Sequence, residues 1–241
     1  MRNYQEEFEK RVAFIREALA EAGADGIIYG NSGGKDSALV GILCKAACEN
    51  TEGIIMPCKS KRNFGSDMDD AIAVAKQFNI KTRVIDLTPQ RELMAQTINK
   101  IAEPSDVALS NIAPRLRMMT LYAVAASENR MVAGTGNRSE FYMGYFTKWG
   151  DGACDFNPIS DLTATEIFEF LRDLNAPASI IEKAPSAGLF EGQTDEAEMG
   201  VTYQAIDTYL TTGEATEEDL AVIRRYHDRS EHKRLGVRRY Q

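Results

Sequence analysis

The stretch Tyr29-Gly30-Asn31-Ser32-Gly33-Gly34-Lys35-Asp36-Ser37 constrains the fold of this chain more than any other. A short apolar run, Ile27 to Tyr29, leads into it and reads as a buried strand; a helical pattern carrying Leu39, Ile42, Leu43 and Ala46 follows. The loop therefore joins a strand to a helix N-terminus. Gly33 and Gly34 let the backbone take positive φ and leave no Cβ in the way of a ligand, so N–H groups and the positive end of the helix dipole face outward together. That arrangement suits phosphate. The Walker A spacing is not met, because Gly30 lies one residue too close to the final glycine and Asp36 stands where that motif has a hydroxyl. An acid in a phosphate loop makes physical sense beside a cation, which makes Asp36 a candidate Mg²⁺ ligand, since Mg²⁺ takes one or two carboxylates together with phosphate oxygens. A glycine turn with Asp36 as helix N-cap fits the same residues.

The six residues Ser32 to Ser37 resemble the pyrophosphate loop of the N-type ATP pyrophosphatases, a superfamily that cleaves ATP between its α and β phosphates and adenylates an acceptor. By themselves they do not choose among its branches. The chain has 241 residues, 44% of them hydrophobic, and a net charge of −8, which disfavours nucleic acid or an anionic membrane as the main partner. No apolar run approaches the roughly 18 residues of a membrane span, and the first 23 residues lack signal-peptide order, so a cytoplasmic protein is expected. Cys44, Cys48, Cys58 and Cys154 form no CxxC pair and read as reduced, buried thiols.

Along the chain, Tyr4, Phe8, Val12, Ile15 and Leu19 predict an amphipathic helix ending at Gly23, covering the sheet or a partner subunit. A second strand is expected over 53–57 and a third over 82–87. The helix between them, 66–78, should turn Met68, Ala71, Ile72, Ala75 and Phe78 inward. Two further helices, 89–102 and 114–128, precede a fourth strand at 131–134. This alternation predicts a single-domain α/β fold over residues 1–241, a doubly wound parallel sheet of Rossmann-like type with helices on both faces, and ligands gathered at the carboxyl ends of the strands.

The fourth strand runs into Thr135 to Glu140 and then Gly144 to Gly152, dense in glycine, aromatics and charge and without helical or strand period. Long irregular loops in compact domains are usually functional. Glu140 is placed to complete the shell of a metal held by Asp36, and Lys148 to meet a ligand carboxylate or phosphate; each also reads as a solvated surface charge.

Taken in order, the blocks Asn111 to Met118, Gly134 to Glu140, Gly144 to Gly152, Lys183 to Leu189, Gly192 to Glu196 and Glu231 to Arg234 resemble those of the ammonia-dependent NAD synthetases from the first helix to the C-terminus. The resemblance implies ATP on Gly30, Asn31, Ser32, Gly33, Gly34, Lys35, Asp36 and Ser37, with Thr135 and Ser186 as further contacts and Asp36 with Glu140 as Mg²⁺ ligands. It implies nicotinic acid adenine dinucleotide (deamido-NAD) on Arg115, Lys148, Asp155, His232 and Lys233, the last two supplied by the other subunit of a homodimer. Asp36 and Asp151 would serve catalysis. The implied reaction adenylates the nicotinate carboxylate, releases pyrophosphate, and amidates the acyl adenylate with ammonia to give NAD⁺ and AMP. Free ammonia is expected as the donor, the chain being filled by the synthetase-like region. A mobile lid is expected over 185–200, where Gly188, Gly192 and Gly200 stand among acids, although a plain loop fits that composition equally.

One position departs from the resemblance: where relatives commonly carry a phosphate-contacting lysine, this chain has Ala164. Either Lys35 takes over that charge, or the protein binds nucleotide without turning it over. A catalytically silent dinucleotide or ATP binder and another adenylating ATP pyrophosphatase are the alternative readings.

Overall fold

The structure, a computed structural model, describes residues 2–183 and 194–240. Four strands, β1 (Gly26–Gly30), β2 (Thr51–Ile55), β3 (Lys81–Val84) and β4 (Arg130–Ala133), form one sheet in the order β3-β2-β1-β4. All three pairings are parallel, with Ile27 opposite Thr51 and Met131, and Glu52 opposite Lys81. The chain winds outward from β1 to β3 and then returns to lay β4 on the free side of β1. This reversal opens a crevice at the carboxyl ends of β1 and β4, where a ligand meets no crossing helix.

Alternation along β1 sends its side chains to two different cores. Ile27 and Tyr29 join Ile15, Leu39, Leu43, Ile167 and Phe170 on one face, whereas Ile28 joins Ile112, Leu116, Leu121 and Val132 on the other. The first face is covered by α1 (Tyr4–Ala22), α2 (Lys35–Ala47), α4 (Ser66–Gln77) and α9 (Ala164–Asp173); the second is covered by α5 (Thr88–Ile98) and α7 (Ile112–Ser127). Helix α1 thus serves its own chain's core, with Gly23 in the left-handed region as its C-cap. Arg11, buried, ties it to the 158–161 turn by donating to the Pro158 carbonyl and to Asp161 Oδ1 at 2.7 Å. A third core, around Met143, Met199, Ile206 and Ile223, joins α8 (Arg138–Met143), α12 (Tyr203–Thr212) and α13 (Glu217–Arg229) beside the crevice.

Two expectations change. On α4 the inward face is Ala71, Val74 and Ala75, and Ile72, one position off that stripe, is 45% exposed. Strand β3 ends at Val84 rather than Leu87, and all four of its residues are exposed. It is an uncovered edge. Leu87, beyond it, is the buried residue, and its N–H reaches the Pro57 carbonyl at 3.0 Å.

Tyr29 is fully buried, and among the described residues its hydroxyl has no hydrogen-bond partner. Its ring lies where a Cβ on Gly41 or Gly53 would stand. The glycines of α2 and β2 make room for it.

Phe170 lies at the centre of the larger core, fully buried, with its ring 4.9 Å from that of Tyr4. Phe170→Ala should destabilise the fold by about 3–5 kcal/mol through lost transfer energy and the cavity left behind. A urea titration followed by circular dichroism checks this; a loss under about 1 kcal/mol would show that the α1–α9 contact is not part of the core.

Candidate active site

Helix α2 begins directly after the glycine loop. Gly34 is its N-cap in extended conformation and offers no side chain, so the first-turn N–H groups are not closed by a capping side chain. Asp36 therefore lies in the first turn and is not the N-cap. The loop is shaped by hydroxyls: Ser32 and Ser37 Oγ are 3.1 Å apart, and Ser37 donates to the Gly34 carbonyl at 3.0 Å. Gly33 has φ +73°, and a Cβ there would run into the Asp67 carbonyl.

Across the crevice, β4 feeds a second helix start. Residues 138–140, expected to be irregular, open α8, because Asn137 and Glu140 make a capping box: Asn137 Oδ1 accepts from Glu140 N at 2.9 Å, and Glu140 accepts from Asn137 N at 3.3 Å. Asn137, fully buried, also donates from Nδ2 to Asp36 Oδ1 at 3.0 Å. One side chain thus fixes both helix starts and both acids. Asp36 Oδ2 accepts from Lys35 Nζ at 2.5 Å. Burial and then Asp36 push the Glu140 carboxyl up to about 8, with Lys35 opposing.

These groups line a cavity of about 1340 Å³ that runs from the ends of β1, β2 and β4 to α13 and α14 (Glu231–Arg234). Gly30, Asn31, Ser32, Gly34, Lys35, Asp36, Ser37, Thr135, Glu140, Asp151 and Lys233 are at its wall, and Gly33 is buried behind it. Lys233 donates to the carbonyls of Gly144 and Phe146, both at 2.7 Å. It therefore reaches the cavity of its own chain, whereas the resemblance implied that it is supplied to a neighbour's, because α14 folds back on the 144–146 turn. Asp151 Oδ1 accepts from Thr147 N at 3.1 Å and shapes the turn bearing Lys148.

The other expected dinucleotide residues stand outside this lining. Arg115 donates to the Lys148 carbonyl at 3.3 Å and Lys148 Nζ to the His232 carbonyl at 2.7 Å, so the three form one exposed cluster next to Lys233. Asp155 is committed to β4, accepting from Val132 N at 2.7 Å and from Tyr122 OH at 3.1 Å. Ser186 and most of the expected lid lie outside the described residues; the remainder includes α11 (Asp195–Met199).

Several wall residues escaped the sequence reading. Lys183 pairs with Asp67 at 2.8 Å and Asp70 at 2.6 Å and reaches the Gly33 carbonyl at 3.3 Å, clamping α4 to the loop. Arg117 donates to the Met56 carbonyl and Asn63 Oδ1, both at 3.0 Å, and burial draws its pKa down. Asp195 is 4% exposed and accepts from Tyr203 OH at 3.1 Å. Lys183 and Asp195 fall inside the sequence blocks quoted above, but only the fold shows which way they face.

Among the described residues no three His, Cys, Asp or Glu side chains are arranged to hold a metal by themselves. Asp36 and Glu140 supply hard oxygen donors beside an uncapped helix N-terminus, which fits Mg²⁺ completing its shell with phosphate oxygens and water. An α/β crevice of this order, with a glycine loop, an uncapped helix start and an acid pair, defines a nucleotide-phosphate-binding protein. Comparison with known proteins narrows the class. Residues 7–237 match the NAD synthase family, and the chain belongs to it. It is 49% identical to the NH(3)-dependent NAD(+) synthetase of Carboxydothermus hydrogenoformans over 96% of both chains. The structure superposes on NMN synthetase from Francisella tularensis with TM-score 0.94 at 38% identity, covering 100% of this chain and 99% of that one. It superposes on the NH3-dependent NAD synthetase of Campylobacter jejuni with TM-score 0.81 at 30% identity, covering 100% of both.

Gly33→Ala should cost about 1–2 kcal/mol from the left-handed backbone alone, besides the collision with Asp67. ATP affinity should fall with it, as read by titration calorimetry; unchanged affinity would show that the loop relaxes without its glycine.

Proposed function

We propose that this protein activates the nicotinate carboxylate of deamido-NAD with ATP and amidates it with ammonia. The observation that carries the reading is the meeting of Asp36 and Glu140 at two helix starts in the crevice of a chain from the NAD synthase family. The α2 amides and the loop hydroxyls bind and orient the ATP phosphates in this reading, with Thr135 beside them; the resemblance adds Ser186 as a further ATP contact. The nicotinate carboxylate attacks the α-phosphorus, the bond to the bridging oxygen breaks, and pyrophosphate stays against the α2 N-terminus. Ammonia then attacks the acyl carbon of the adenylate, loses a proton, and AMP departs. Asp151, which ends at the cavity wall, is the candidate to take that proton. Mg²⁺ on Asp36 and Glu140 supplies charge neutralisation of the leaving pyrophosphate when bound. Lys233, with Arg115, Lys148 and His232 beside it, is assigned to the acidic substrate, and Asp155 to holding β4 in place near them.

A second reading of the substrate is nicotinic acid mononucleotide, favoured by the TM-score of 0.94 to the Francisella enzyme named for NMN. The chemistry at the carboxylate is the same in both. The reading also includes a homodimer in a cytoplasmic setting; no helix among the described residues is long and apolar enough to cross a membrane. The β3 edge and the helices beside it support the dimer. Val84 and Ile85 share a groove with Thr120 and Val124, and Leu93, Met94, Val107 and Met119 on the adjoining elements are 44–70% exposed. Patches of this kind on an unpaired edge mark interfaces.

Purified protein given deamido-NAD, ATP, Mg²⁺ and ammonium should release NAD⁺, AMP and pyrophosphate in equal amounts, and glutamine should not replace ammonium. Asp36→Asn and Glu140→Gln should each lower kcat by about 10²–10³ with the fold intact. No pyrophosphate from either nicotinate nucleotide would overturn the proposal, and a higher kcat/KM for the mononucleotide would establish the second reading. For the dimer, Leu93→Glu with Met119→Glu should shift the mass measured by light scattering from two chains to one; an unchanged mass would move the interface elsewhere.

A further inference from the structure

Lys35 is the residue whose position the reaction does not by itself explain. Although it belongs to the phosphate loop, its side chain is only 6% exposed and turns back among acids. Its ammonium is 2.5 Å from Asp36 Oδ2, 5.5 Å from the Tyr203 ring and 5.8 Å from the Phe168 ring, and Asp36, Glu140 and Asp195 all act on it electrostatically. Burial works against this charge, and the acids outweigh it. Tyr203 in turn holds Asp195 at 3.1 Å. A compact cation, with aromatic faces on one side and carboxylates on the other, is a built site for positive charge. Ala164, a buried small residue, lies one helical turn before Phe168 on α9.

We infer that Lys35 is a resident counter-cation that holds the place of the divalent metal in the nucleotide-free enzyme, so that metal enters only together with ATP. This rests on the assignment of Asp36 and Glu140 as metal ligands above. The ammonium and a divalent ion compete for the same Asp36 oxygen, and two positive charges there repel. ATP resolves the competition because its phosphates accept the ammonium as it leaves Asp36. The lysine then sits where pyrophosphate departs and supplies positive charge to the phosphates there. Binding is thereby ordered: metal-free acids stay neutralised, and the metal site exists only when the substrate does.

The test is Mn²⁺ retained with the full chain in equilibrium dialysis, with and without α,β-methylene ATP at equal concentration on both sides of the membrane. Wild type should bind Mn²⁺ weakly alone and tightly with the analogue. Lys35→Met should bind it alone at least about tenfold more tightly than wild type, the scale on which one adjacent charge acts. Lys35→Arg should behave like wild type. Equal affinities of wild type and Lys35→Met without nucleotide would overturn the inference while leaving the metal assignment standing. No Mn²⁺ bound by any form even with the analogue would overturn both. Should Lys35→Met fail to fold, Lys35→Gln gives the same comparison. If neither neutral variant folds, recovery of the folded state with millimolar Mn²⁺ supports the inference and its failure overturns it.

Discussion

The contact on which the site depends is the single amide of Asn137, which donates to Asp36 while capping α8. Two parallel strands, β1 and β4, lie side by side, and each ends in a helix whose N-terminus points into the same crevice. Helix starts attract negative charge. Here that attraction brings Asp36 and Glu140 together, two acids that would separate in water if both were ionised; burial and then Asp36 push the Glu140 carboxyl up to about 8. Asn137 and Lys35 hold the pair from its two sides, one by geometry and the other by charge.

The consequence is a site made by topology more than by any one segment. Asp36 comes from the first strand crossing and Glu140 from the last, 104 positions later, and only the strand order β3-β2-β1-β4 makes them neighbours. The third element is α11 and α12, which close the crevice from above the sheet and bring Asp195 and Tyr203 to Lys35. All three approach from the carboxyl side of the strands, where the sheet supplies no side chains to block them. The β3 edge, Lys81 to Val84, is exposed on the opposite flank, so the sheet's open edge and the crevice occupy different borders.

Much of this was legible in the residues. The loop after β1 announced its conformation through Gly33 and its ligand class through the helix that follows, and strand and helix alternation fixed the doubly wound sheet. Position after a strand brings Glu140 forward as a partner of Asp36, but the helix it starts stays hidden, because the Asn137 to Glu140 capping box has no apolar period to betray it. Lys183, Arg117 and Asp195 escaped for a related reason: a charged residue in a surface-like sequence declares nothing about direction until its neighbours are placed. Arg115, Lys148 and His232 illustrate the converse. Their contacts join three segments in one cluster, yet they stand outside the cavity wall, a distinction that spacing alone does not carry.

The buried tyrosine below the loop has an evolutionary corollary. Among the described residues the Tyr29 hydroxyl has no partner, and its ring fills the space that side chains at 41 and 53 would need. The sizes of these three residues are coupled by packing. A larger residue in place of either glycine is tolerable only after the tyrosine has shortened, and a shortened residue at 29 leaves a void that invites the glycines to grow. Drift at this spot should therefore proceed by correlated exchange, with Tyr29, Gly41 and Gly53 replaced as a set across lineages.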